Sequence, residues 1–308
     1  MKKSLPSLQK TTLDYKKVQR VFQLLVKQDV YSEGSGFSAD KDAILKIFSV
    51  TNGFEKTNIL VRLTLIDSMY STQMNRRYYA LEELAEALAT LASGKEAKLR
   101  DLFLAFAKDP EKYSQDFNYG GTNLFSESYG IGKDGSDKGV AISLISKYAY
   151  FETKFKFPIY DSIACEMYLL VCRECGFDKY KKINLTVKEN GKIQGEQTMV
   201  AYVKAINWLI EQLDCKGLNY DLLDRFLWFV GKIRRGNLSL VLTRTEYEIM
   251  MKLYPPTKIV RNTKIGTVKN IIEYFNIDKI EINKIPFLKN NELLRNFFEM
   301  AQYYGYKN

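Results

Sequence analysis

Apolar and polar positions follow a helical period along most of the chain. Apolar residues recur every three or four positions, which predicts helices over 15–30, 41–49, 59–91 with a break near Ser71, and 95–107. The pair Asp109-Pro110 ends the last of these. Beyond a glycine-rich loop at 118–139, the same period predicts helices over 138–151, 162–175, 197–213 and 220–232. The fold class predicted from this pattern is mainly α.

Two stretches change this picture. Residues 182–193 alternate around Asn190-Gly191, which is typical of a small β-hairpin. Pro255-Pro256 marks the clearest boundary, and 263–308 is predicted to form a small appended helical element. The predicted organisation is a basic N-terminal helical arm (1–40), a core (41–254) and a C-terminal helical extension (255–308).

Charge and the absence of histidine narrow the chemistry. The chain carries 46 Lys and Arg against 36 Asp and Glu, for a net charge of +10. This balance favours a polyanionic partner, although a solvated basic surface explains it equally well. With no histidine, Ser-His-Asp catalysis, Cys-His catalysis and His-containing zinc sites are excluded. Any catalysis must use carboxylates, lysine, tyrosine, serine, threonine or cysteine.

Cellular location is predicted from what the sequence lacks. No apolar run approaches the length of about 18 residues that a membrane span requires. The first residues lack the apolar segment of a signal peptide, and the cysteines number only four. We therefore expect a cytoplasmic protein with no membrane association, and no oligomeric state is predicted.

The cysteines raise the question of a metal cluster. Cys165, Cys172 and Cys175 have the C-x6-C-x2-C spacing of the iron–sulfur loop in endonuclease III-like glycosylases. Lys181 stands where that loop needs its fourth cysteine, and Cys215 is only a remote substitute. We therefore expect no metal and no cofactor, with buried thiols instead.

The most informative motif runs from 138 to 162, K-G-V-A-I-S-L-I-S-K-Y-A-Y-F-E-T-K-F-K-F-P-I-Y-D-S. It predicts an amphipathic helix, a basic aromatic loop, and Asp161 just before a second helix that Ser162 can cap. Upstream, Gly130-Ile131-Gly132 allows a tight turn. This order resembles the helix-hairpin-helix DNA glycosylases. It is most similar to the bacterial 8-oxoguanine DNA glycosylase-like branch, where S-K-Y/F-x-x-F followed by F-P-I-Y-D-S is typical.

The resemblance implies a two-lobed helix-hairpin-helix fold that binds double-stranded DNA between its lobes and flips out one nucleotide. Asp161 would stabilise the positive charge that develops on the sugar. A simple N-cap role also fits its position, at a worth of about 1 kcal/mol.

Two lysines are candidates for a Schiff base with the sugar in an additional lyase step. Lys138 is favoured because the resemblance puts the nucleophile at the N-terminus of the hairpin's second helix. Lys147 belongs to the S-K-Y element but would lie on nearly the opposite face of a helix that includes both. On that basis Lys147 would contact a phosphate or be structural.

Three further stretches carry expected DNA contacts. The amides of Gly130 and Gly132, with Lys133 beside them, would bind a phosphate, although a surface turn explains them as well. Residues 69–84 resemble the helix that fills the space vacated by the flipped nucleotide. Its polar contacts would be Gln73, Asn75 and Arg76, and a plain amphipathic helix is an equal alternative.

Residues 223–232, L-D-R-F-L-W-F-V-G-K, resemble the closing helix of the same branch. Trp228 or Phe229 would stack on the flipped base in its pocket, while most of this aromatic stripe is expected in the core. Lys232, Arg234 and Arg235 would contact phosphates.

The function expected from these motifs is excision of a damaged or modified base from duplex DNA, with an oxidised purine favoured. Both base excision repair and phage defence suit such an activity. The alternative is a non-catalytic nucleic-acid-binding module on the same scaffold. A helical interaction protein with no nucleic-acid role is the third interpretation.

Overall fold

The fold was analysed on a computed structural model, which describes residues 15–27, 36–70, 72–93, 99–136, 139–177, 179, 182–256, 258–264 and 267–303. Over these residues the protein is mainly helical, as the apolar period predicts. The helices are α1 (Tyr15–Lys27), α2 (Gly36–Val50), α3 (Lys56–Tyr70), α4 (Ala80–Ser93), α5 (Leu99–Lys108), α6 (Pro110–Tyr113), α7 (Ile142–Glu152), α8 (Ser162–Glu174), α9 (Gly195–Leu213), α10 (Tyr220–Arg234), α11 (Arg244–Leu253), α12 (Pro286–Asn290) and α13 (Glu292–Tyr303).

Short antiparallel hairpins interrupt the helices. They are β1 (Asn118–Tyr119) with β2 (Thr122–Asn123), β3 (Lys188–Glu189) with β4 (Lys192–Ile193), and β5 (Lys258–Lys264) with β6 (Thr267–Tyr274). The hairpin predicted at Asn190-Gly191 is confirmed as β3–β4. The C-terminal extension, which was predicted to be helical, contains α12 and α13 but also the hairpin of β5 and β6. β-branched residues on both strands favour extended backbone there.

The break predicted near Ser71 lies between α3 and α4. The Asp67 carboxylate near the end of α3 accepts hydrogen bonds from the amides of Met74 (2.9 Å) and Asn75 (3.0 Å) and from the Thr72 hydroxyl. These amides are thereby taken out of a continuing helix and held in a single 3-10 turn. The connection ends at Tyr79, whose φ of 65° is left-handed.

Helix α10 lies at the centre of the core. Its Phe226 ring contacts Phe22 of α1 at 4.7 Å between centroids, and its Phe229 ring stacks on Phe297 of α13 at 5.5 Å. On another side, Gly231 lets α10 approach α8, since a Cβ there would lie 2.4 Å from Cγ2 of Ile163. The predicted N-terminal arm and C-terminal extension thus each contribute a helix to the same hydrophobic core.

A buried ion pair ties α2 to α7 and α10. The ammonium of Lys41 lies 2.7 Å from the Asp221 carboxylate and 2.7 Å from the Tyr150 hydroxyl, and 3.7 Å from the Phe155 ring centroid. Tyr150 also donates to Asp221, and Arg225 lies 2.7 Å from the same carboxylate. This cluster fixes α7 against the first turn of α10. In the described part of the chain, no helix combines the length and apolar character that a bilayer crossing needs.

Candidate functional site

A cavity of about 630 Å³ opens where the α3–α4 connection, α7, the start of α8 and the end of α10 meet. Its walls combine one carboxylate, two lysines and three aromatic rings. The side chains that line it include Gln73, Lys147, Tyr160, Asp161, Trp228 and Lys232. Residues from all three stretches singled out in the sequence therefore share one cavity.

Asp161 is positioned by a tightly held approach segment. The amide of Tyr160 donates to the Ser146 hydroxyl (3.0 Å), and Tyr202 donates its hydroxyl to the carbonyl of Ile159 (2.6 Å). Asp161 itself is the N-cap of α8, since its carboxylate accepts the amide of Ala164 at 2.7 Å. Its other carboxylate oxygen is not used by that bond. The prediction that Ser162 caps this helix is wrong, because Ser162 is the first residue of α8 and Asp161 is its N-cap.

Lys147 lies in the wall of the cavity rather than on the surface, with 3% of its area exposed. Its ammonium donates to the Ser143 hydroxyl at 2.7 Å. Burial lowers the pKa of Lys147 below its ordinary value, and the nearby carboxylates of Asp161 and Asp224 act against that shift. A buried lysine beside carboxylates is typical of a functional position.

Helix α7 begins at Ile142, not at 138. The prediction of one helix that carries both Lys138 and Lys147 is therefore wrong, since residues 139–141 are not helical. Lys138 itself lies outside the described residues. Lys133 is described and exposed, in the turn that follows Gly132.

The amides of the glycine hairpin are already used within the protein. The amide of Gly130 donates to the Glu83 carboxylate (2.6 Å), and that of Gly132 donates to the carbonyl of Ser136 (2.8 Å). Between them, Ile131 pairs with Tyr78. The expected phosphate contact through the amides of Gly130 and Gly132 is therefore contradicted by their geometry. Gly130 is required for another reason, because its φ is +75° and a Cβ would lie 2.5 Å from that of Ala80.

The polar residues expected on a probing helix lie on a connection instead. Gln73 lines the cavity with a left-handed φ of 64°, and Asn75 and Arg76 are exposed in the 3-10 turn that follows. Arg76 donates to the side-chain oxygen of Gln73 at 3.1 Å. The helical part of that expectation is wrong because Asp67 captures the amides that a helix would need.

Of the two aromatic candidates on α10, only Trp228 lines the cavity. Phe229 is 4% exposed and stacks on Phe297 in the core, so its predicted contact with a flipped base is wrong. One step along a helix turns a side chain by about 100°. Trp228 therefore faces the cavity, whereas its neighbour Phe229 faces the hydrophobic core.

The three basic residues after Trp228 have different surroundings. Lys232 lines the cavity, lies 5.5 Å from the Trp228 ring centroid, and has its pKa lowered by burial. Arg234 and Arg235 bind the two oxygens of Glu166 on α8, at 2.5 and 2.6 Å. Arg234 is largely buried, so a phosphate contact from it is contradicted, whereas Arg235 also lines the cavity.

Sequence reasoning missed several residues of this site. Ser143, Tyr160 and Tyr70 line the cavity. Ser143 lies about one helical turn before Lys147, and this spacing is the signal that could have found it.

The cysteines form no site in the described residues. Cys165, Cys172, Cys175 and Cys215 form no disulfide bond among the described residues. Over the ranges that the structure describes, no group of three or more cysteine or carboxylate side chains is arranged to hold a metal ion.

In comparisons with known proteins, no family model matches the chain, and neither does any curated protein or solved structure. The function has to be inferred from the cavity and the residues around it.

Proposed function

We propose that this protein is a DNA glycosylase of the helix-hairpin-helix type, which excises a damaged or modified base from duplex DNA. One observation carries the proposal: three stretches distant in sequence, each chosen for its resemblance to that family, contribute side chains to one cavity. They supply Gln73 from the first stretch, Lys147 and Asp161 from the second, and Trp228 and Lys232 from the third.

The chemistry of base excision requires a negative charge beside the sugar. As the bond between C1′ and the base breaks, positive charge develops on the sugar ring. A partly buried carboxylate stabilises that charge far better than a carboxylate in bulk water, because the surrounding medium screens it less. Asp161 is partly buried and lines the cavity, and its N-cap hydrogen bond uses one oxygen. It is our candidate for this role.

The walls of the cavity suit a flipped nucleotide. A volume of about 630 Å³ accommodates a nucleobase with its sugar. The Trp228 ring offers a stacking surface, a contact worth about 1–3 kcal/mol per base. Lys232 and Arg235 give the same cavity positive charge that attracts the phosphates on either side.

Lys147 is the favoured nucleophile of a lyase step, in place of Lys138. A lysine attacks C1′ only as a neutral amine, and burial shifts Lys147 toward that form. This attack would form a Schiff base between Lys147 and C1′ after the nucleobase has departed. The target base remains the oxidised purine or another modified base that the resemblance implies, in repair or in phage defence.

The test uses end-labelled duplexes that carry 8-oxoguanine, uracil, an alkylated purine or 5-hydroxymethylcytosine. Each is incubated with the protein and then treated with hot alkali, or with borohydride during the incubation. We expect alkali-dependent cleavage of one duplex, its loss in Asp161→Asn, and retained DNA binding in that variant. A borohydride-trapped adduct lost in Lys147→Gln but retained in Lys138→Gln adds the lyase step.

The N-cap hydrogen bond of Asp161 favours a second candidate, a non-catalytic nucleic-acid-binding module. A residue kept only as a cap would leave duplex binding intact and would release no base. Salt-sensitive binding without cleavage of any duplex would favour this candidate over the glycosylase. Binding without steep salt dependence would favour an interaction protein with no nucleic-acid role.

A further inference from the structure

A second cavity, of about 590 Å³, lies at the other end of α7 from the candidate site. Ser143 and Lys147, near the start of that helix, line the first cavity, whereas Phe151 and Glu152, at its end, line the second. The other walls come from the end of α2, the residues between α2 and α3, the middle of α3 and the first turn of α5. Among the described residues, none lines both cavities.

Three phenyl rings form most of the apolar wall of this second cavity. Phe48 of α2 and Phe151 of α7 contact each other, with 6.0 Å between their ring centroids. Phe54 joins them from the residues between α2 and α3. Phe48 and Phe54 are only partly buried, so part of each ring is open to a ligand. Because phenyl rings attract other aromatic rings by offset stacking and edge-to-face contact, this wall favours a planar aromatic ligand.

A buried ion pair forms the polar part of the wall. The Arg62 guanidinium lies 3.3 Å from the Glu152 carboxylate and 4.9 Å from the centroid of the Phe48 ring. The two side chains are only 4% and 5% exposed. Taking two charges out of water is costly, and an apolar pair often serves stability as well or better. Packing alone therefore does not account for a charged pair in the wall of a cavity.

Two further cations line the cavity and make it positively charged. Arg100 is half-exposed and lies 3.5 Å from the Glu152 carboxylate. Lys154 is exposed, and in the part of the chain that the structure describes no carboxylate lies within ion-pair distance of it. With Arg62, three cations thus face a single carboxylate. The excess of positive charge favours an anionic ligand.

Lys154 is held at the cavity by a strained backbone. Lys154 and Phe155 follow each other with φ of 52° and 70°, in the left-handed region that residues with a side chain rarely adopt. The amide of Phe155 donates to the carbonyl of Tyr150 at 2.6 Å, and its ring centroid lies 3.7 Å from the Lys41 ammonium. Each such residue costs about 1–3 kcal/mol, and strain of this kind clusters at binding sites. The strain points to this cavity independently of its charge.

We propose that the second cavity binds a mononucleotide. Its base would lie against the rings of Phe48, Phe54 and Phe151, and its phosphate would accept hydrogen bonds from Arg100 and Lys154. A phosphate monoester carries a charge of about −1.5 to −2 at neutral pH, which matches the two cations. The volume of about 590 Å³ falls in the range of about 300–1,000 Å³ that is usual for small-ligand sites.

The first experiment is isothermal titration calorimetry of the whole protein without DNA. The probes are the 5′-monophosphates of adenosine, guanosine, cytidine and uridine, with adenosine and inorganic phosphate as controls. We expect at least one nucleotide to bind. Adenosine and inorganic phosphate should bind at least about tenfold more weakly, because each offers only half of the contacts.

Variants test whether the nucleotide occupies the second cavity and not the first. Lys154→Gln and Arg100→Gln should each weaken nucleotide binding about tenfold, the usual effect of losing one charged hydrogen bond. Lys108→Gln changes an exposed lysine outside both cavities and should bind as the wild type does. Trp228→Ala removes a ring of the first cavity and should also leave the affinity unchanged.

The second experiment locates the ligand directly. The protein is photo-crosslinked with 8-azidoadenosine 5′-monophosphate, digested and analysed by mass spectrometry. We expect the label on peptides that contain residues 45–54 or 151–154. A label confined to residues that line the first cavity would contradict the proposal.

Three results of the titrations would overturn the second site. They are no binding of any of the nucleotides, equal affinity for adenosine or inorganic phosphate, and a loss of binding in Trp228→Ala with none in Lys154→Gln. None of them bears on base excision, because that activity is measured on DNA and is assigned to residues of the first cavity. The inference and the proposed function therefore fail separately.

Discussion

Replacing Asp224 with asparagine is expected to stabilise the protein, and the gain should grow with pH. In the folded state burial raises the pKa of this carboxyl group from 3.8 to about 8. The unfolded chain releases the proton near its ordinary pKa, whereas the folded protein holds it until about pH 8. Between these values a rise in pH therefore favours unfolding. Asparagine has no carboxyl proton to release, so the stability of the variant does not decrease with pH for this reason.

The magnitude follows from the two pKa values. Each pKa unit corresponds to about 1.4 kcal/mol, so a rise from 3.8 to about 8 could lower the free energy of unfolding by at most ~6 kcal/mol at pH values above 8. Asp224 is partly accessible to solvent. Water and relaxation of the surrounding structure therefore reduce the free-energy cost of ionising its carboxyl group in the folded protein. We expect Asp224→Asn to be more stable than the wild type by about 2–3 kcal/mol above about pH 8, and to differ little from it at about pH 4.

The assay is urea unfolding of wild type and Asp224→Asn at about pH 5 and about pH 8.5, with the free energy of unfolding extrapolated to water. Asp214→Asn makes the same chemical change at an exposed position and should show no widening of the gap between the two pH values. A variant that is no more stable than wild type at the higher pH, or a gain independent of pH, would refute the reasoning.

Three further substitutions test other parts of the structure. Gly231→Ala places a Cβ 2.4 Å from Cγ2 of Ile163, and the strain should lower stability by about 1–3 kcal/mol, measured as a lower urea midpoint; an unchanged midpoint would contradict the close helix approach. Lys41→Met removes the buried cation beside Asp221 and should cost about 3 kcal/mol in the same assay, whereas a cost near zero would mean that the ion pair is not buried as described. Lys232→Gln should reduce the slope of log affinity for duplex DNA against log salt by about 0.9, the value for one phosphate contact, and an unchanged slope would exclude that contact.

The sequence predicted the parts of the site that local rules determine. The N-cap role that suits the position of Asp161 is confirmed, although the cap is Asp161 and not its neighbour Ser162. The helical period predicted α9 and α10 nearly to their observed ends. Such features depend on neighbours along the chain, so their signal survives in the sequence alone.

Features that depend on distant contacts could not be predicted in this way. Whether Trp228 or Phe229 faces the cavity is decided by α13, since Phe297 covers Phe229. The sequence indicated a phosphate contact for Arg234, but the packing of α10 on α8 places its guanidinium against Glu166. The pKa of Asp224 depends on groups from three other elements, which no stretch of sequence brings together.

The central claim is that the cavity around Asp161 excises a base from duplex DNA. Its most direct test is the alkali-dependent breakage of modified duplexes by wild type and Asp161→Asn, compared at equal amounts of bound DNA. The account predicts cleavage of at least one duplex by the wild type and none above background by the variant. Equal cleavage by both proteins, or tight binding with no cleavage by either, would contradict it.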